Sequence, residues 1–170
     1  MTDAPISFVP TGDTGRQLRD AFGRFATGVT VVTAQGPDGP SAITANSFAS
    51  VSLDPALVLW SPSRTSRRFD LFTNVTHYAI HVLAADQHDL CWSVAKDRQG
   101  FDMDTLGRNE NGVPILADCL ARFDCARYAV HDGGDHAIVV GQILRATYRS
   151  GTPLAFYGGK MVRLSEEDLS

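Results

Sequence analysis

Two long strand-forming runs in the second half of the chain exclude an all-helical fold. Phe123 to Val130 and Ala137 to Tyr148 flank His131-Asp132-Gly133-Gly134-Asp135, whose Gly and Asp residues suit a reversal. A second hairpin signal lies upstream. The β-branched run Val29-Thr30-Val31-Val32-Thr33 is followed by Gly-Pro-Asp-Gly-Pro at 36–40, which turns the chain into a strand over Ser41 to Val51. Leu57 to Trp60, His77 to Leu83 and Leu154 to Tyr157 read as shorter strands.

Helical signals are fewer. Leu18, Ala21, Phe22 and Phe25 recur at helical spacing, so a helix ending at Thr27-Gly28 is expected to cap a core. A second helix is expected over Ser63 to Phe72. A third is expected from Asp86 to about Lys96, with Asp86 as N-cap and Leu90, Cys91, Val94 and Ala95 facing inward. Residues 97–116 read as a loop-rich excursion. Many strands with few helices predict a mainly β (α+β) fold, with the sheet closed or nearly closed into a barrel so that its edges are not exposed.

With 170 residues, 44% apolar and 20% charged, the chain suits one globular domain. The folded unit is expected at 16–164, between a flexible segment at 1–15 rich in Pro and Gly and a polar tail at 165–170. A net charge of −4 provides no basic field for nucleic acid. Neither a signal-peptide pattern nor a spanning apolar run of about 20 residues is present, so a cytoplasmic protein without membrane contact is expected. Cys91, Cys119 and Cys125 form no C-x-x-C pair and read as buried or free thiols.

Neither G-x-G-x-x-G nor G-x-x-x-x-G-K-[ST] occurs, so a nucleotide must be held by other means. Ser61-Pro62-Ser63-Arg64-Thr65-Ser66-Arg67-Arg68 concentrates hydroxyls and guanidiniums where a strand gives way to an expected helix. Such a place suits a phosphate, or equally a Ser-capped helix with solvated arginines. Thr44-Ala45-Asn46-Ser47-Phe48-Ala49-Ser50 is unusual for a strand interior. Its small polar side chains would leave room for a flat heterocycle, or mark a distorted edge strand facing water. His77 and His81 would lie about 13 Å apart along one strand, too far to share an ion, and no metal site is expected. His136 begins a strand after a Gly-Gly-Asp turn, where an imidazole can meet a polar ligand or simply be capped at the surface. No G-x-S-x-G elbow supports a serine hydrolase.

Phe22-Gly23-Arg24-Phe25-Ala26-Thr27-Gly28-Val29-Thr30-Val31-Val32-Thr33, Ile43-Thr44-Ala45-Asn46-Ser47-Phe48 and Gly134-Asp135-His136 together resemble the flavin reductase family with an FMN-binding split barrel. The resemblance runs over about 18–164 and includes Ser52-Leu53-Asp54-Pro55. It implies a homodimer of six-stranded split barrels with flanking helices. The implied activity is an NAD(P)H:flavin oxidoreductase that passes hydride from NADH or NADPH to FMN, or to FAD, and supplies a partner monooxygenase. A binding-only flavoprotein and a split-barrel flavin oxidase are the alternatives.

Carried over by position, the resemblance implies cofactor contacts at Gly28, Val29, Thr30, Val31 and Thr33 and at Ala45, Asn46 and Ser47. Ser61, Ser63, Thr65, Ser66 and Arg67 would supply the phosphate contacts, and His136 would contact the nicotinamide nucleotide. Where members commonly carry Gly-Lys-Tyr, this chain has Gly159-Lys160-Met161, with Tyr157 as the nearby aromatic to replace the missing one. No acid or base side chain is implied in catalysis.

Overall fold

The computed structural model describes residues 4–96 and 103–164. Along the chain run α1 (Gly15–Phe22), β1 (Thr27–Gly28), β2 (Thr30–Gly36), β3 (Gly39–Ala45), β4 (Ala49–Leu53) and β5 (Ala56–Trp60). Then come α2 (Phe69–Asn74), β6 (His77–Val82), α3 (His88–Ala95), the short β7 (Gly107–Arg108) and β8 (Pro114–Ile115), and the long β9 (Ala121–Gly133) and β10 (His136–Tyr148). β11 (Leu154–Tyr157) and β12 (Lys160–Arg163) complete the order. The main sheet has seven strands in the order β3-β2-β6-β9-β10-β5-β4, and a small sheet orders β1-β11-β12.

Chain connectivity forces the main sheet to curl. β3 and β4 are its opposite edges, yet only Asn46, Ser47 and Phe48 separate them in sequence. That link spans at most about 14 Å, whereas the outer strands of a flat seven-stranded sheet lie about 29 Å apart. The edges therefore approach each other.

β2 is an interior strand of this sheet, paired with β3 on one side and β6 on the other. Its alternating side chains feed two cores, which explains why it reads as an unbroken β-branched run. Val32 and Ala34 join Val58, Trp60, Phe72, Tyr78, Ile80, Cys125 and Val139 in one cluster. Val31 joins Val29, Ala42, Leu83, Cys91, Val94, Leu116 and Leu154 in the other, beneath α3 and β11.

Between these layers His81 is buried. Its Nδ1–H donates to the Val31 carbonyl at 3.1 Å, and its Nε2 accepts the Leu116 N–H at 3.1 Å. Burial pushes its pKa down to about 4, so it is a neutral cross-brace between β2, β6 and the segment before β9. Gly141 on β10 makes room for another buried group, since a Cβ there would meet the Tyr78 hydroxyl at 2.1 Å.

Several local expectations change. The strand expected over 41–51 is two strands broken at 46–48, because the chain crosses between sheet edges there. The helix expected from Ser63 starts only at Phe69. Before it, Pro62 and Arg64 are tied to the end of β10, with the Ala137 N–H donating to the Pro62 carbonyl and the Arg64 N–H to the Asp135 carbonyl. The hydroxyls of Ser63 and Ser66 accept the N–H groups of Thr65 and Arg68, local bonds that compete with helix formation.

α3 begins at His88 after a 3-10 turn over Ala85–Gln87. Gln87, not Asp86, occupies its N-cap position. Cys91 and Val94 are buried, Leu90 is half-buried, and Ala95 is exposed. α1 buries no residue, and Phe22 and Phe25 are 67% and 76% exposed, so this helix does not cap the core. The connection between β9 and β10 shrinks to Gly134 and Asp135, with Gly134 at φ 74°, a left-handed conformation that glycine adopts without strain. Of the expected excursion at 97–116, residues 97–102 lie outside those described, as does the tail at 165–170. The rest includes the β7–β8 hairpin.

Candidate functional site

The broken strand is the starting point. Thr30 anchors the end of β3 by donating its hydroxyl to the Ala45 carbonyl at 2.6 Å. One residue past Asn46, the Ser47 hydroxyl accepts the Ser61 N–H at 2.9 Å and donates to the Ser61 carbonyl at 3.3 Å. Phe48 then stacks on Phe123, with centroids 5.6 Å apart. A corner needs short hydroxyl side chains to replace lost ladder bonds, which accounts for the polar run. Asn46 is exposed, and its amide has no hydrogen-bond partner among the described residues.

This corner borders a cleft of about 870 Å³. Its walls come from α1 and the residues after it (Arg19, Phe22, Phe25), from the corner (Thr44, Ala45, Asn46) and from α3 (Cys91, Trp92, Ala95). His136 joins them from β10, and Phe156 and Met161 from the small sheet. The lining is mostly apolar and aromatic with a few polar groups, and its size suits a flat cofactor. Thr27 also lines the cleft, and its buried hydroxyl makes no hydrogen bond among the described residues.

At one edge, Ser63 bridges to His136 as an isolated β-bridge. His136 sits 2.8 Å from the Asp135 carboxylate through Nδ1, and that contact holds the Asp135 carboxyl below the usual carboxylate range. Nε2 of His136 makes no hydrogen bond among the described residues. Cys91 forms part of the wall as a buried thiol whose pKa burial pushes up to about 11, so it is protonated at neutral pH.

The structure thus brings together Val29, Ala45, Asn46 and His136 in one cleft, and joins Ser47, Ser61 and Ser63 to its border through the corner and the β-bridge. Ser63 and Thr65 share a hydrogen bond at 2.9 Å, and Ser66 follows in the same turn. This hydroxyl cluster lies in a turn and not at the expected helix N-terminus.

Other expected residues lie elsewhere. Thr30, Val31 and Thr33 are buried, and β2 is paired along both sides. The Thr33 hydroxyl is spent on the Pro114 carbonyl at 2.5 Å. Their side chains serve the core. Gly28 and Tyr157 line a separate apolar cavity of about 390 Å³ with Pro153, Ala155 and Val162. Arg67 borders a third cavity beside the β2–β3 hairpin and α2. Tyr157 therefore lies outside the cleft that Asn46 and His136 line. Phe156, its neighbour, faces the cleft with Met161, as period-two alternation requires.

Sequence reasoning also missed Arg19, Phe22, Phe25 and Trp92. The apolar stripe of α1 was visible, but a stripe that faces a ligand cleft has the same spacing as one that faces a core.

The pattern that describes the flavin reductase like domain matches residues 22–165. The chain belongs to the flavin reductase like domain family. An FMN reductase (NADH) from Agrobacterium fabrum, SmoA, is 52% identical over 160 residues, covering 94% of this chain and 92% of that protein. Some other curated relatives are longer, and the chain spans about half their length.

Among solved structures of the family, the NADH:FAD oxidoreductase SgcE6 of Streptomyces globisporus, in complex with NAD and FAD fragments, aligns with a TM-score of 0.84 at 34% identity. The match covers 95% of this chain and 99% of that one. BorF, the flavin reductase component of a bacterial two-component tryptophan halogenase, aligns with a TM-score of 0.82 at 37% identity, over 89% of this chain and 98% of that one. These relatives share the mainly β architecture with few helices. No helix among the described residues is long and apolar enough to cross a membrane.

Proposed function

We propose that this flavin reductase like domain is an NADH-dependent flavin reductase that takes FMN, with FAD as a second acceptor. The observation that carries the reading is the cleft itself. An apolar slot of about 870 Å³ has the free Asn46 amide on one wall and His136 at its edge. Isoalloxazine presents ring carbonyls and an N–H to such an amide, while apolar walls enclose the ring. The names of the relatives point to NADH as donor and to FMN or FAD as acceptor.

Ala45, Asn46 and the main chain at Val29 would border the ring, and Ser47 would hold the corner in place. The hydroxyls of Ser61, Ser63, Thr65 and Ser66 would receive the phosphate. His136 would contact the nicotinamide nucleotide through Nε2. Bound flavin supplies the two-electron acceptor. The chain's own task is to stack the two rings, bring the reacting atoms to about 3 to 3.5 Å and keep water out. No side chain needs to act as acid or base in the transfer.

The curled sheet would form a six-stranded split barrel from β3 to β5, with the largely exposed β4 as an appended edge. Two copies would assemble as a homodimer in the cytoplasm, and the reduced flavin would pass to a monooxygenase component. NADH consumption, followed by absorbance with and without FMN, FAD or riboflavin, tests the reading. Rapid flavin-dependent turnover supports it. Tight flavin binding without turnover replaces it with a carrier.

A further inference from the structure

α3 carries a side-chain arrangement that the reading above does not use. The Trp92 indole N–H donates to His88 Nε2 at 2.9 Å, and His88 Nδ1 lies 3.2 Å from the Asp89 carboxylate. Trp92 Nε1 can only donate, so His88 Nε2 must carry a lone pair and the imidazole proton must sit on Nδ1. On the other side, Lys96 Nζ lies 4.7 Å from the indole centroid. His88 and Lys96 are four residues before and after Trp92, so one helix face holds the ring in a fixed orientation. The indole is 40% exposed and lines the cleft.

We propose that Trp92 is the aromatic wall against which the flavin ring stacks, and that His88 is the positioning residue that holds its indole there. The proposal rests on the flavin reading of the cleft. An indole fixed before binding loses little rotamer freedom when a ring stacks on it, which is what preorganisation contributes to affinity. The hold has a chemical limit. A proton on His88 Nε2 removes the acceptor, and the indole is released.

The charged groups on this stretch are Asp86 on the preceding turn, Asp89 beside His88 and Lys96 over Trp92. Arg19 and His136 lie across the cleft. β2 and β3, which pack against α3, carry no titratable side chain.

Two measurements test this. In the ligand-free protein, tryptophan emission is followed as the pH is lowered from about 8 to about 5. The expected transition is present in wild type and lost in both Trp92→Phe and His88→Gln, because glutamine keeps an acceptor that does not titrate.

FMN is then titrated into each protein. At about pH 8, Trp92→Ala is expected to raise Kd about tenfold and to abolish quenching of flavin emission, with Trp92→Phe in between. His88→Gln is expected to match wild type at that pH and to lack its weakening in acid. A Trp92→Ala protein that binds and quenches FMN as wild type does overturns the proposal. So does a His88→Gln protein whose affinity falls with pH in parallel with wild type. Absence of FMN binding by wild type overturns the flavin reading itself.

Discussion

Replacing His81 by Gln isolates the pH sensitivity of the fold. In the native protein the imidazole is neutral, with a pKa near 4 set by burial, while an unfolded histidine titrates near 6.5. The folded state disfavours the proton, so the stabilisation from neutral His81 is complete above the unfolded pKa and is lost as pH falls towards 4. At 1.36 kcal/mol per pH unit the gap corresponds to about 3 kcal/mol. This is a large fraction of the about 5 to 15 kcal/mol that a domain has in reserve.

Glutamine can donate to the Val31 carbonyl and accept from Leu116 as the imidazole does, but it does not titrate in this range. Urea unfolding at several values between about pH 7 and 4.5 checks the idea. Carboxylates lose stability equally in both proteins, so the difference between the two curves reports His81 alone. Wild type is expected to lose about 2 to 3 kcal/mol more than the variant, which moves its midpoint by about 1 to 2 M urea. Parallel curves would refute the account of His81 as a buried neutral brace.

Gly141→Ala is expected to destabilise by about 1 to 3 kcal/mol, because its Cβ would stand 2.1 Å from the Tyr78 hydroxyl. Thermal melts should show part of the loss recovered when Tyr78→Phe is added, and strict additivity would contradict the clash. Ser47→Ala removes both bonds to Ser61 and is expected to cost about 1 to 2 kcal/mol and to weaken FMN binding. Unchanged FMN affinity in a titration calorimeter would confine Ser47 to the corner's stability. His136→Ala is expected to raise the KM for NADH more than it lowers kcat. Steady-state kinetics showing a collapse of kcat at constant KM would give His136 a different role.

Much of the local structure was legible because local chemistry dictates it. The β-branched run at 29–33 and the Gly-Pro-Asp-Gly-Pro turn form the β2–β3 hairpin, and Gly134 supplies the positive φ that joins β9 to β10. The helix misread at Ser63 is not local in origin. Hydroxyls that could cap a helix instead tie the backbone into turns, because the strand end of β10 already claims Pro62 and Arg64. That claim comes from far along the chain and leaves no mark on the segment.

The candidate site was legible only in part. Ala45, Asn46 and His136 fall in the cleft where the family resemblance implied contacts, whereas Val31 and Thr33, from the same conspicuous run, point into the core. Alternation determines that neighbours in a strand face opposite ways, but which face meets the cleft depends on the layers stacked above and below.

By itself the sequence determined which of the longer segments form strands, where the two hairpins reverse and which segments are apolar, because these follow from backbone sterics and side-chain solvation within a few residues. Tertiary structure alone decided that β3 and β4 become the opposite edges of one curled sheet, that Phe22 and Phe25 turn to a cleft and not to the core, and that Phe156 rather than Tyr157 lines it. Each of these depends on contacts between segments tens of residues apart, and periodicity within one segment holds no information about which partner will cover it.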